Sequence, residues 1–499
     1  MTPLCDRRMG KRRHISRRDF WFEAGMGIGG LALIDLFSRD RLLGAEPPKG
    51  SQACASSADV IDSPYLPKPA HFKPRAKSVI SIFLSGGVSH VDTFDYKPAL
   101  AKYHGMPLEG KGEVRVRQGY PGPLMKSPFQ FKQYGKSGQW VSELFPRIAT
   151  IVDEVAFLHS CQGKSNDHVL SHYEWNTGSI LMGYPSAGSW VTYGLGSENQ
   201  NLPAFVVIYD HRGGPFSGPA NWSAGFLPAA YQGTVFRSQG DPILDLTPPP
   251  KYVTPERERA RLDHLAWINQ NHAEKFPGTS ELAARIASYE LAYRMQGCAP
   301  EAVNVSQETE ETKKLYGMDH QVSEPFGKQC LMARRMVERG VRFVQLYNGA
   351  IVNQNVDTWD VHASIVDNHT MHAPEVDQPI TGLITDLKRR GLLDETLVVW
   401  HSEFGRMPIS QRGLGRDHNP GAMTIFMAGA GIRGGQAIGS TDEVGYKAED
   451  QVISCHDLHA TMLHLLGIDH KRLTYFFNGR HMRLTDVHGE LIPQIVGKA

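Results

Sequence analysis

Carboxylates and imidazoles recur in short clusters along this chain. His90 and Asp92 stand in SGGVSHVDTFD, Asp167 and His168 in SNDHV, and Asp360 and His362 in TWDVH. Glu403 and Arg406 stand in HSEFGRMP, and Arg416, Asp417 and His418 in GRDHNP. Carboxylate oxygen mixed with imidazole nitrogen suits zinc, manganese and similar ions better than an all-oxygen calcium cage. The 22 His among 499 residues strengthen the case for metal or proton-transfer work. Each cluster also has a bland use. Asp92 would serve as a helix cap, Asp360 and His362 as a loop pair, Glu403 as the partner of Arg406, and Asp417 with His418 as a buried acid–imidazole couple. Singly those uses are preferred, but together they require several coincidences in one topological place, so the joint metal reading is taken. His369 and His372, three residues apart, would share a helix face and are expected at the surface or behind the ligands.

The elements that must carry these residues read as an α/β fold. Ser78 to Leu84 is apolar and rich in β-branched residues, as in a strand buried on both faces, and ends in Ser85-Gly86-Gly87. Further strands are predicted over Glu154–Leu158, Ala204–Ile208, Val341–Leu346, Thr396–Trp400 and Met423–Met427. Helices are predicted over Glu281–Gln296, Lys328–Arg339, Val376–Arg390 and Asp457–Leu466, several of them closed by a glycine. Helix–Gly–strand units repeated in this way imply a mostly parallel sheet covered by helices on both faces. Ligands in such sheets bind beyond the carboxyl ends of the strands, which is where the clusters should meet.

Net charge is +1 with 21% charged residues, which gives no basis for a nucleic-acid partner. The six cysteines are scattered without a C-x-x-C pair, against a zinc ribbon or a disulfide scaffold. The N-terminus carries a basic start and then Ser16-Arg17-Arg18-Asp19-Phe20, followed by an apolar stretch from Trp21 to Phe37. This resembles a twin-arginine signal. The stretch includes Glu23, Asp35 and several glycines, so it makes no stable membrane span. The expected layout is a twin-arginine signal over 1–45, a linker over 46–75 and one domain over 76–499 with an insertion at about 210–330. The twin-arginine translocase would be a partner during export, and the mature protein would be periplasmic or extracellular.

Seven stretches carry a family resemblance: FLSGGVSHVDTFDYKP, HSCQGKSNDHVLSHYEWNTG, GFLPAAYQGT, TWDVH, LKRRGLLDETLVVWHSEFGRMP, GRDHNPGAMTIFMAGAGIRGG and GSTDEVG. Between about Lys77 and Gly467 they closely resemble, in order, a family of bacterial exported proteins known as domain of unknown function 1501 and loosely labelled sulfatase. That family is in turn similar to the alkaline phosphatase and sulfatase superfamily. The resemblance implies an alkaline phosphatase-like fold and metal-dependent hydrolysis of phosphate or sulfate esters, the substrate being a small molecule or a glycan ester.

Carried over by position, the resemblance implies metal ligands at Asp92, Asp360, His362, Glu403 and His418. The ion would be a divalent metal: zinc, manganese, calcium or magnesium. Thr177-Gly178 resembles the end of the nucleophile helix, which places His168 at the nucleophile position. His168 would attack or act as general base, with His90 and Asp167 as alternative bases and Asp417 as a further supporting acid. Arg406 or Arg416 would neutralise charge on the transferred group. The pattern departs from the superfamily where Ser85 directly follows the first strand, His168 stands at the nucleophile position without a C-x-P-S-R pattern, Glu403 replaces Asp and Phe404 replaces His, which points to a single-metal site. The alternative is a catalytically inactive member that binds an anionic glycan or an envelope partner through the insertion around Asp210 to Pro250, where Trp222, Phe226 and Tyr231 would stack on sugar rings, although core packing is their preferred use.

Overall fold

All seven residues of β1 (Ser78–Leu84) are buried, which is why its sequence shows no apolar–polar alternation. Ile80, Ile82 and Leu84 join one hydrophobic cluster, while Val79 and Phe83 join another. The two serines of β1 are satisfied locally: Ser78 Oγ donates to the Val341 carbonyl, and Ser81 Oγ lies 3.0 Å from His401 Nε2.

The computed structural model describes residues 64–110, 114, 116–244, 246, 254–275, 280–352 and 355–497. The expected signal over 1–45 lies outside them, as does most of the expected linker. Two units are distinguished, 1–61 with 249–264 and 62–248 with 265–499. The described part of the first is the beginning of a helix over Pro255–Lys275. The second holds the sheet and every residue discussed below.

Its remaining sheet strands are β2 (Val155–Gln162), β3 (Phe205–Ile208), β4 (Thr234–Phe236), β5 (Phe343–Asn348), β6 (Thr396–His401), β7 (Met423–Gly429), β8 (Gln436–Ile438) and β9 (Ile453–Ser454). They are ordered β8-β2-β7-β6-β1-β5-β3-β4, with β9 beside β2. The pairs β1–β6, β1–β5, β3–β5 and β3–β4 are parallel, and β7 runs antiparallel to both β6 and β2. The expected mostly parallel α/β sheet is therefore present. Part of the expected insertion, Thr234–Phe236, forms its edge strand. Trp222 and Tyr231 in the same stretch are buried in the core.

The longer helices that matter for the site are α1 (His168–Thr177), α2 (Ala187–Leu195), α3 (Glu324–Glu338), α4 (Ile365–Arg389) and α5 (Cys455–Leu465). Residues of α3 and α4 fall in one hydrophobic cluster with β1, and residues of α2 and α5 in the other, so the sheet is covered on both faces. Helix α4 begins eleven residues before the predicted Val376 and contains Pro374 and Pro379. An interior proline costs about 3 kcal/mol. Val376, Ile380, Leu383, Ile384 and Leu387 are all fully buried, and at about 1.5–3 kcal/mol each their burial outweighs that cost. The early start also carries His369 and His372 into the interior, where both are completely buried, not at the surface. Strand β2 likewise runs four residues past Leu158, so His159 and Ser160 lie within the sheet.

No helix among the described residues is long and apolar enough to cross a membrane.

Candidate metal centre

Asp360, on the connection between β5 and α4, collects partners from that connection and from three other segments. Its Oδ1 lies 3.0 Å from His362 Nε2, 3.2 Å from His418 Nε2 and 2.7 Å from Arg406 Nη2. Its Oδ2 lies 3.3 Å from His168 Nε2. The Nε2 atoms of His362 and His418 are themselves 3.1 Å apart. The glycine turn after β1 permits this convergence: Gly86 has φ +117°, and a Cβ there would sit 2.4 Å from the Asp360 amide nitrogen. His418 reaches the rim because β7 is antiparallel, so the residues preceding it lie at the carboxyl end of β6.

The second ring nitrogen of each imidazole is already engaged. His418 Nδ1 lies 2.7 Å from the Asn166 carbonyl oxygen, and His168 Nδ1 lies 2.7 Å from Glu403 Oε1. His362 Nδ1 lies 2.6 Å from Gln411 Oε1, and the same amide donates through Nε2 to the Gln118 carbonyl. All three partners accept hydrogen bonds, so each Nδ1 is the donor, and a neutral ring presents its Nε2 lone pair to the centre. His168 Nε2 is buried and has no hydrogen-bond partner. The facing lone pairs of His362 and His418 repel one another unless a cation lies between them.

The donor set fits a divalent metal. A tetrahedral ion with metal–nitrogen bonds of about 2.0–2.1 Å spaces its ligand atoms ~3.3 Å apart; the ligand atoms of His168, Asp360 and His418 lie within 4.8 Å of one another, as do those of His362, Asp417 and His418. Three imidazoles and one carboxylate suit zinc or a similar transition ion. Donation of Nδ1–H to a carboxylate, a carbonyl and an amide oxygen is the usual support for metal-binding histidines. Side-chain exposures of 11% for His168, 14% for His362 and 16% for Asp360 leave the centre open to solvent on one side.

Burial alone would raise the Asp360 carboxyl, but the Arg406 charge and the neighbouring imidazoles hold it far below the usual carboxylate range. Burial pulls His418 down to about 4 despite Asp360. Burial opposes the charge on His168 as well, yet the Asp360 and Glu403 carboxylates raise its pKa. Phe216 stacks on the His168 ring at 4.2 Å, and Phe404 stacks on His418 at 4.6 Å, giving the centre apolar walls.

Asp92, expected as a ligand, is not brought to this group. It is fully buried and paired with Arg416, Nε to Oδ2 at 2.5 Å and Nη2 to Oδ1 at 3.1 Å, and it also accepts from Ser89. Arg416 donates its remaining bonds to the Met407 and Met125 carbonyls, so it cannot meet an anion. Arg406 is also wholly buried. It holds Asp360 and donates to the carbonyls of Gly86, Gly87 and Arg416.

Glu403, the other expected ligand outside the group, stands behind His168. It accepts from the Gly86 amide at 2.8 Å and from Ser402 Oγ at 2.9 Å, and it lies 3.5 Å from His172 Nε2. Burial raises its pKa, but His172 and His168 together hold it well below the ordinary glutamate value. His90 is buried, with Nε2 on the Gly445 carbonyl. Asp417 Oδ2 accepts from the Arg117 and Gln118 amides, and its Oδ1 from the His418 amide. Asp167 caps α1 through the Val169 and Leu170 amides. Thr177 Oγ1 bonds the Tyr173 carbonyl. The supporting groups Gln411 and His172 had no signal in the sequence, because each acts only through a neighbour far away in the chain.

Residues 76–496 match the family described as protein of unknown function DUF1501. The chain belongs to this family. Beyond it, the chain is similar to lipoteichoic acid synthase 2 of Bacillus subtilis (strain 168), 26% identical over 210 residues, which is 37% of this chain and 28% of that protein. This DUF1501 chain thus matches little more than a quarter of that relative's length. Among solved structures it is similar to the lipoteichoic acid synthase LtaP from Listeria monocytogenes. That likeness has a TM-score of 0.35 at 10% identity, covering 84% of this chain and 78% of the other. It is also similar to the PsFucS1 sulfatase from Pseudoalteromonas sp., with a TM-score of 0.34 at 14% identity, covering 79% and 68%. Likeness at these TM-scores carries no functional reading for the DUF1501 chain.

Proposed function

We propose that this protein is an exported hydrolase of phosphate or sulfate esters that works with one divalent metal ion held by His168, Asp360, His362 and His418. One observation carries the reading: three imidazole Nε2 atoms meet a carboxylate, and each imidazole has its Nδ1 tied to an acceptor. A divalent ion bound there supplies a Lewis acid for the ester oxygen and brings the pKa of water toward neutrality. The chain's own part is to fix that geometry. Glu403 orients His168, Gln411 orients His362, the Asn166 carbonyl orients His418, and Arg406 holds Asp360. Phe404 and Phe216 exclude water from two sides of the imidazoles. His168 serves as a ligand here, and Thr177 is hydrogen-bonded within α1, so water is the attacking group in this reading. The Ser16–Phe20 motif supports export by the twin-arginine route, which carries the domain already folded around its ion.

The test is metal analysis of the purified protein together with turnover on a panel of aryl phosphate monoesters, diesters and sulfate esters. One transition ion per chain is expected, with turnover lost on chelation and in His418→Ala. A well-folded protein free of metal, or one whose turnover survives both treatments, ends the proposal.

A further inference from the structure

The sequence nominates Arg406 and Arg416 to meet the ester's anionic group, and the structure removes both, since each is wholly buried and committed to carboxylate and carbonyl oxygens. A third arginine, Arg117, is anchored to residues that adjoin two of the ligands. The Arg117 amide is held by Asp417, one residue from the ligand His418. Its guanidinium Nη2 lies 2.9 Å from Asp167 Oδ2, one residue from the ligand His168. Both anchors of Arg117 thus adjoin a metal-binding imidazole in the chain. Its side chain is nevertheless 48% exposed, and an exposed ion pair of this kind holds weakly.

We propose that Arg117 is the substrate-binding arginine of this centre, donating to the phosphate or sulfate oxygens of the ester, with Asp167 as the carboxylate it leaves when the anion enters. The inference rests on the hydrolase reading above and adds to it the residue that selects an anionic substrate. A guanidinium presents parallel N–H groups that match two oxygens of a tetrahedral anion. The Asp167 cap leaves its Oδ2 free for Arg117, because Oδ1 alone accepts from the Val169 and Leu170 amides.

Calorimetric titration of the metal-loaded protein with inorganic phosphate, and separately with sulfate, tests this. Arg117→Ala should weaken the preferred anion ~10–100-fold, and Arg117→Lys should recover part of the loss. Asp167→Asn keeps a capping side chain but removes the competing charge, so it should tighten binding. A merely structural role for the pair would move both variants in the same direction. Unchanged affinity in Arg117→Ala, weaker binding in Asp167→Asn, or no binding of either anion by the wild type overturns the inference. Arg117-dependent anion binding without metal-dependent turnover upholds Arg117 and sinks the hydrolase reading instead. Turnover that is indifferent to Arg117→Ala, alongside unchanged anion affinity, does the reverse.

Discussion

His362 Nε2 and His418 Nε2 face each other across 3.1 Å, and neither has a proton to share while its Nδ1 donates elsewhere. That arrangement is unfavourable without a cation between the rings. His362→Ala should therefore lower metal affinity by more than ~100-fold, since loss of even an outer partner of a ligand costs about 10–100-fold. Competition against a chromophoric chelator measures it. Wild-type affinity in the variant would remove His362 from the ligand set.

Glu403 and His168 are joined at 2.7 Å, with Glu403 completely buried. Glu403→Gln preserves the shape but replaces a charged acceptor with a neutral one. The expected outcome is a folded protein that binds metal about 10–100-fold more weakly. If Glu403 were instead a direct ligand, the loss would match that of His362→Ala, and the same competition assay separates the two cases.

Much of this centre was legible in the sequence. Asp360, His362 and His418 were nominated from their positions beside strands, and β1 was placed at its observed limits. The reasons for the failures are physical. Asp92 lies next to the rim in the chain, yet its partner is Arg416, 324 residues away, and no local spacing reports such a pairing. His168 was set at the nucleophile position by its distance from Thr177-Gly178, whereas the structure closes Glu403 and Asp360 on its two ring nitrogens. Placing His418 beyond the strand ends required β7 to be antiparallel, which periodicity alone does not reveal. The first eleven residues of α4 were hidden by Pro374, whose local cost is overcome only by tertiary packing.

The Asp92–Arg416 pair should be structural rather than catalytic. Arg416→Met leaves a buried carboxylate without its counter-ion, which typically costs about 3–5 kcal/mol. Denaturant unfolding should show a loss of that size, while the metal bound per folded chain stays at the wild-type level. A variant that keeps its stability and loses its metal would return Asp92 and Arg416 to the metal centre.

Acid sensitivity should arise partly from two histidines away from the centre. His401 and His459 are buried, and with Ser81, Asn176 and Gln345 they line a cavity of about 20 Å³, room for about one water. Burial and then neighbouring histidines pull both pKa values down to about 3 from the ordinary 6.5. Between those two values the unfolded chain binds protons that the folded chain refuses. The stability is therefore complete above pH 6.5 and is lost as pH falls toward 3. Each histidine contributes a slope of up to about 1.4 kcal/mol per pH unit. His459→Gln removes one of the two, so its urea midpoint should fall less steeply between pH 6.5 and 4.5 than that of the wild type, whatever the absolute stability of the variant. Parallel midpoint-against-pH curves for the two proteins would show that His459 takes up its proton equally in both states, and this account of the acid response would fail.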